Sequence, residues 1–93
     1  MKVEQVNTNF SGYFVATEDD NEAGKLIYKW DDPTTMVILS TAVNSAFKGR
    51  GVGKDLVVAT AEYAKENGIK IIAQCPYAKG QLEKMPESRA LLK

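Results

Sequence analysis

Histidine is absent from the 93 residues, cysteine occurs once, and neither sign of charge prevails. The missing imidazole removes the usual general base, the commonest zinc ligand and every Ser-His or Cys-His nucleophile pair. Most hydrolase mechanisms are thereby excluded, and no metal centre is expected. A lone Cys75 cannot close an internal disulfide, which suits a reducing compartment. Twelve basic residues balance twelve acidic ones, so the overall field offers no attraction for nucleic acid or an anionic membrane. Long apolar runs are lacking too. The longest clean one, Met36 to Leu39, is far too short to span a bilayer, and MKVEQVNTNF has no apolar core of a signal peptide. The expectation is an unexported, cytoplasmic protein.

What is present is ordinary globular composition, 44% hydrophobic and 26% charged, in a chain short enough for one domain over residues 1–93. Val3 to Asn7 and Phe10 to Thr17 are rich in β-branched and aromatic residues and read as two strands. The polar cluster Glu18 to Gly24 reads as a turn, after which Leu26, Tyr28 and Trp30 alternate with Lys25 and Lys29 as in a half-buried antiparallel strand. Asp31-Asp32-Pro33-Thr34 is turn chemistry. Met36 to Leu39 is apolar on both faces, as a central strand continuing through Val43 would be. Val52, Leu56, Ala59, Thr60 and Tyr63 fall on one stripe of a helix over Val52 to Glu66, and Asn67-Gly68 stops it. Ile69 to Cys75 is the next strand, ended by Pro76. A short helix over Tyr77 to Lys84 and a final turn over Ser88 to Leu92 complete the chain.

This order predicts an α/β fold of the α+β kind: a mixed, mostly antiparallel sheet with one parallel βαβ unit, one main helix and a short C-terminal helix. In a right-handed βαβ unit the ends of both strands and the start of the helix meet at one sheet edge, where ligands of open α/β sheets bind. Val43, Gly49 to Gly53 and Cys75 should therefore converge.

At that edge lies Lys48-Gly49-Arg50-Gly51-Val52-Gly53-Lys54. Three glycines let backbone N–H groups approach a ligand without Cβ obstruction, and the helix start and three bases favour an anion. The segment reads as a pyrophosphate cradle. It is neither a Walker A loop, since Asp55 follows Gly53-Lys54 and Lys48 stands where a glycine is required, nor the G-x-G-x-x-G dinucleotide fingerprint.

The spacing resembles the Q/R-x-x-G-x-G/A loop of the GNAT acetyltransferases, with Lys48, Gly51 and Gly53 at the marked positions and Lys in place of Gln or Arg. The likeness to short, stand-alone GNAT proteins runs from the early strands through Ile71-Ile72-Ala73-Gln74-Cys75-Pro76-Tyr77-Ala78-Lys79. A second departure is Ser40-Thr41, where similar short proteins carry His-Thr. The resemblance implies a sheet that splays near the central strand and acetyl-CoA as cosubstrate. The pantetheine arm would lie along Thr41, Ala42 and Val43, and the pyrophosphate on Lys48, Gly49, Arg50, Gly51, Val52 and Gly53, with Lys54 and Lys79 close to the phosphates.

On that placement Cys75 lies close to the thioester and is a candidate catalytic residue, alongside a reading as a small buried hydrophobe. A phenol can protonate a departing thiolate, and Tyr77, beside Cys75, suits this better than Tyr63, which helical spacing turns to the core. Two functions compete. One is an N-acetyltransferase moving acetyl from acetyl-CoA to a primary amine of a small molecule or protein, by direct transfer. The other is a non-catalytic coenzyme-binding or protein-interaction module. The expected assembly is a monomer or weak dimer.

Overall fold

The computed structural model describes all 93 residues. The strands are β1 (Lys2–Asn7), β2 (Ser11–Glu18), β3 (Asn21–Asp32), β4 (Thr35–Val43) and β5 (Lys70–Ala73). The helices are α1 (Val52–Asn67), α2 (Pro76–Lys84) and α3 (Pro86–Arg89). Sheet order follows chain order from β1 to β5, antiparallel except for the parallel β4–β5 pair. The expected mixed, mostly antiparallel sheet with one βαβ unit is thus the observed one.

Turn chemistry sets the hairpins. Asp19 and Asp20 take φ of 52° and 65°, a left-handed pair that a short polar side chain tolerates, and they alone join β2 to β3. The turn expected over Glu18 to Gly24 is therefore shorter. Asn21 to Gly24 belong to β3, with Gly24 opposite Ala16 on one side and Val43 on the other. Phe10 lies outside its expected strand, 82% exposed in the Thr8–Phe10 connection, where the Thr8 hydroxyl accepts the N–H groups of Phe10 and Ser11.

One continuous core lies between the sheet and its helices. From the sheet come Phe14, Ala16, Leu26, Tyr28, Met36, Ile38 and Ile71, and from α1 Val52, Leu56, Val57, Ala61 and Ala64, with Ala78 and Leu82 from α2. The α1 stripe agrees with expectation at Val52, Leu56 and Thr60; Ala59 and Tyr63 sit at its margin, with the Tyr63 ring edge-on to Phe14 at 6.0 Å. Burying a residue such as Leu56 contributes about 1.5–3 kcal/mol. The Tyr28 hydroxyl, buried with its ring, donates to Asn7 Oδ1 at 2.8 Å and accepts from Gln5 Nε2 at 2.9 Å, so no buried donor is orphaned there. Gly68, at φ 65°, closes α1 by donating its N–H to the Ala64 carbonyl, as the Asn67-Gly68 signal predicts.

The outer edge of β5 is covered. Ile71 N–H donates to the Leu91 carbonyl and Lys93 N–H to the Ile71 carbonyl, each at 2.8 Å. The segment expected as a turn over Ser88 to Leu92 divides into α3 and this bridge. No helix is long and apolar enough to cross a membrane.

The centre of the sheet is where regularity fails. Tyr28 pairs with Ile38 and Ile27 with Ser40, so Leu39 is the extra residue of a β-bulge in β4. On the other side, pairing with β5 stops at Ile38–Ala73, and the N–H groups of Gln74 and Cys75 both turn onto the Ile38 carbonyl, at 3.0 and 3.3 Å. This crowding of two donors on one acceptor is why β5 ends at Ala73 rather than at Cys75. From Leu39 to Val43, β4 keeps β3 as a neighbour and has no strand on its β5 side.

Candidate functional site

Thr41 and Cys75, both singled out in the sequence, meet across this opening. Thr41 is half-buried within the unpaired stretch of β4, while Ala42 and Val43 are exposed. Asn44 then caps a 3-10 turn, Ser45–Phe47, by accepting the Ala46 N–H, and the glycine loop follows. Across the opening, Cys75 stands immediately before α2 with Pro76 as the first helical residue, which fixes the backbone where β5 turns away.

The loop is a row of free donors. Phe47 and Lys48 N–H groups are taken by the Asn44 and Ser45 carbonyls, and helical bonding resumes with Asp55 N–H on the Gly51 carbonyl at 3.0 Å. Between them, the N–H groups of Gly49, Arg50, Gly51, Val52, Gly53 and Lys54 have no acceptor in the protein. Gly49 and Gly51 reach this shape with φ of 81° and 76°, which L side chains resist. Val52 is 1% exposed, with its side chain in the core, so only its amide can face a ligand.

Gly53 serves a different purpose. Its backbone is ordinary helix, but a Cβ there would meet Tyr77 Cε2 and Oη at 2.9 Å. The missing side chain makes room for the Tyr77 ring on the first turn of α1. Tyr77 is thus brought to the glycine loop, 44% exposed, whereas Tyr63 packs on Phe14 away from it.

The charges are not equivalent. Lys48 and Lys54 are exposed and unpaired, and Lys79 projects exposed from α2. Arg50 is held: its Nη1 lies 2.7 Å from Glu18 Oε2, its Nη2 donates to Glu18 Oε1 at 2.9 Å, and its guanidinium sits 5.3 Å from the Phe47 ring centre. Arg50, one of the three bases of the loop, is thus not free, and its partner Glu18 lies 32 residues away. No local pattern could have paired them. Hydrogen bonding to the Arg50 guanidinium outweighs the opposing effect of burial and holds the Glu18 carboxyl below its ordinary pKa.

Cys75 is 7% exposed, and its Sγ lies 3.6 Å from the Thr41 hydroxyl. Burial opposes its ionisation. The amides of Ala78 and Tyr77 at the start of α2, with the hydroxyl and amide of Thr41, favour the thiolate more strongly and hold the thiol below its ordinary pKa. The thiol thus joins the two sides of the opening.

Comparison with known proteins agrees with this fold. The GCN5-related N-acetyl-transferase family model matches residues 12–91, and the chain belongs to that family. The solution structure of a GCN5-like protein from Staphylococcus aureus is 31% identical, covers 99% of this chain and 87% of its own, and superposes with a TM-score of 0.73. The ribosomal-protein-S18-alanine N-acetyltransferase of Escherichia coli shares the fold at 14% identity, with a TM-score of 0.71 over 86% of this chain and 54% of the enzyme. A Bacillus anthracis protein of the streptothricin acetyltransferase type, solved in complex with acetyl coenzyme A, superposes with a TM-score of 0.61 at 22% identity, over 73% of this chain and 39% of its own. The chain therefore spans most of the staphylococcal protein but only about half or less of these larger structures. No curated protein matches the sequence.

Proposed function

We propose that this protein binds acetyl-CoA and transfers its acetyl group directly to a primary amine, on a small molecule or a protein. The observation that carries this reading is the presence of two stretches of unused backbone groups, the side of Leu39–Val43 that no strand pairs and the free N–H row of Gly49–Lys54. An extended chain bearing amides suits the first part, because it can complete the sheet as a strand would. A pyrophosphate suits the second, where free donors, a helix start and the Lys48 and Lys54 ammoniums coincide.

In this arrangement Thr41, Ala42 and Val43 hold the pantetheine arm, and Lys48, Gly49, Arg50, Gly51, Val52, Gly53 and Lys54 hold the phosphates, with Lys79 nearby. The amine nitrogen attacks the thioester carbon, and backbone donors on the open side of β4 stabilise the oxyanion that forms. As the carbon–sulfur bond breaks, the Tyr77 phenol gives its proton to the departing thiolate and regains one from water, while the amine releases its proton to solvent. Cys75, bonded to Thr41, lines the acyl end of the opening, and no acyl-cysteine is required.

A second reading, a coenzyme-binding module without efficient transfer, is favoured by one observation: a chain without histidine offers no imidazole to take the amine proton. Calorimetric titration with acetyl-CoA, with ATP and NAD as controls, followed by turnover on a panel of amines, tests both. Selective micromolar binding supports the coenzyme reading and turnover the enzyme; no heat at millimolar acetyl-CoA refutes both.

A further inference from the structure

The β2–β3 hairpin holds the connection between β4 and α1 near both of its ends. Asn44 N–H donates to the Ala23 carbonyl at 2.8 Å, fixing where the chain leaves β4, and the Glu18–Arg50 fork fixes the loop six residues later. Between these anchors lie Gly49, with its positive φ, and Phe47, on whose ring the Arg50 guanidinium rests. Arg50 itself stands between two left-handed glycines. A segment with this much backbone freedom loses considerable entropy when it is fixed around a ligand. A two-pronged carboxylate–guanidinium contact restricts both partners more than a single-point contact does.

We infer that Glu18 is a positioning residue for the coenzyme loop: by gripping Arg50 it sets the free N–H row of Gly49–Lys54 in its binding shape before the ligand arrives. The inference rests on the coenzyme reading above and gives that site a control point on a different hairpin. Glu18 is an acid and would repel phosphate if it acted by contact. Its action is through Arg50, and Arg50 acts by holding the loop rather than by being a free cation.

The test is calorimetric titration of coenzyme A into the unaltered protein, Glu18→Gln, Arg50→Gln and the double variant, with amide order parameters of the coenzyme-free proteins measured by NMR. The unaltered protein should bind. Each single variant should bind about three- to fivefold more weakly, the scale of one partly exposed ion pair, and the double variant no more weakly than either single. Order parameters at Gly49, Arg50 and Gly51 should fall in the variants while those of Leu56 to Ala64 hold, a local response that general destabilisation would not give. Coenzyme A that fails to bind the unaltered protein refutes the coenzyme reading, and this inference with it. Binding to the unaltered protein that Glu18→Gln leaves unchanged or tightens overturns the inference alone, because the carboxylate would then be idle or a competitor for Arg50. An Arg50→Gln loss that Glu18→Gln does not share also overturns it, making Arg50 a direct phosphate ligand.

Discussion

Replacing Gly53 by alanine should separate stability from binding. The new Cβ would lie 2.9 Å from Tyr77 Cε2 and Oη and 3.0 Å from Cζ, so the ring must give way by roughly half an ångström or more to restore ordinary contact. Those atoms are the far end of a partly exposed side chain, and a swing of about 30° away from its rotamer costs about 0.5–1.5 kcal/mol. Against this, alanine restricts the unfolded chain and favours helix by about 0.5–1 kcal/mol over glycine. The two effects nearly cancel, so denaturant unfolding of Gly53→Ala should place its stability within about 1 kcal/mol of the parent. In a Tyr77→Ala background the obstruction is gone, and the same glycine replacement should stabilise by about 0.5–1 kcal/mol. Acetyl-CoA binding should weaken in Gly53→Ala, because the displaced phenol moves over the first turn of α1. An identical stability change in both backgrounds would refute the reasoning, since Gly53 would then owe nothing to Tyr77.

Leu56→Ala, at a fully buried position of α1, should lose about 2–5 kcal/mol of unfolding free energy in the same assay. Cys75→Ala should still bind acetyl-CoA, and intact-mass analysis of the parent after incubation with acetyl-CoA should show no acetyl adduct; an adduct that vanishes in Cys75→Ala would establish an acyl-enzyme. Thr41→Val keeps the side-chain shape but removes the hydroxyl that accepts from the Cys75 thiol and can donate to its thiolate, so the thiol pKa should rise, read from thiolate ultraviolet absorbance against pH. The folded pKa of Cys75 lies below its unfolded value, so the stabilisation it brings is complete above the unfolded pKa and is lost as pH falls through the folded one. Thr41→Val should narrow that interval.

Element types, and with them the mixed, mostly antiparallel sheet, were legible because the apolar positions keep their period: Leu26, Tyr28 and Trp30 at two, and Val52, Leu56 and Thr60 at helical spacing. Boundaries failed where polarity and structure diverge. Asn21-Glu22 looks like loop but is strand, because two aspartates suffice for the turn. The bulge at Leu39 is invisible in an apolar run, since what creates it is the register of β3 opposite. The loop itself was legible because its glycines and bases are contiguous. Its tie to Glu18 was not, and neither was the reason for Gly53, because each depends on a residue that only the folded chain brings near.

A sheet whose strand order repeats the chain order also shapes how the molecule assembles. Three connections of a few residues, Thr8–Phe10, Asp19–Asp20 and Pro33–Thr34, let β1 to β4 form as successive hairpins with little loop-closure entropy. Only the β4–β5 junction must wait for α1 to form and cross over. The opening beside Ile38 thus lies on a seam closed by distant parts of the chain, and local unfolding should begin there. An occupant bridging β4, the glycine loop and α2 would clamp that seam, so its binding should slow the opening of the fold itself.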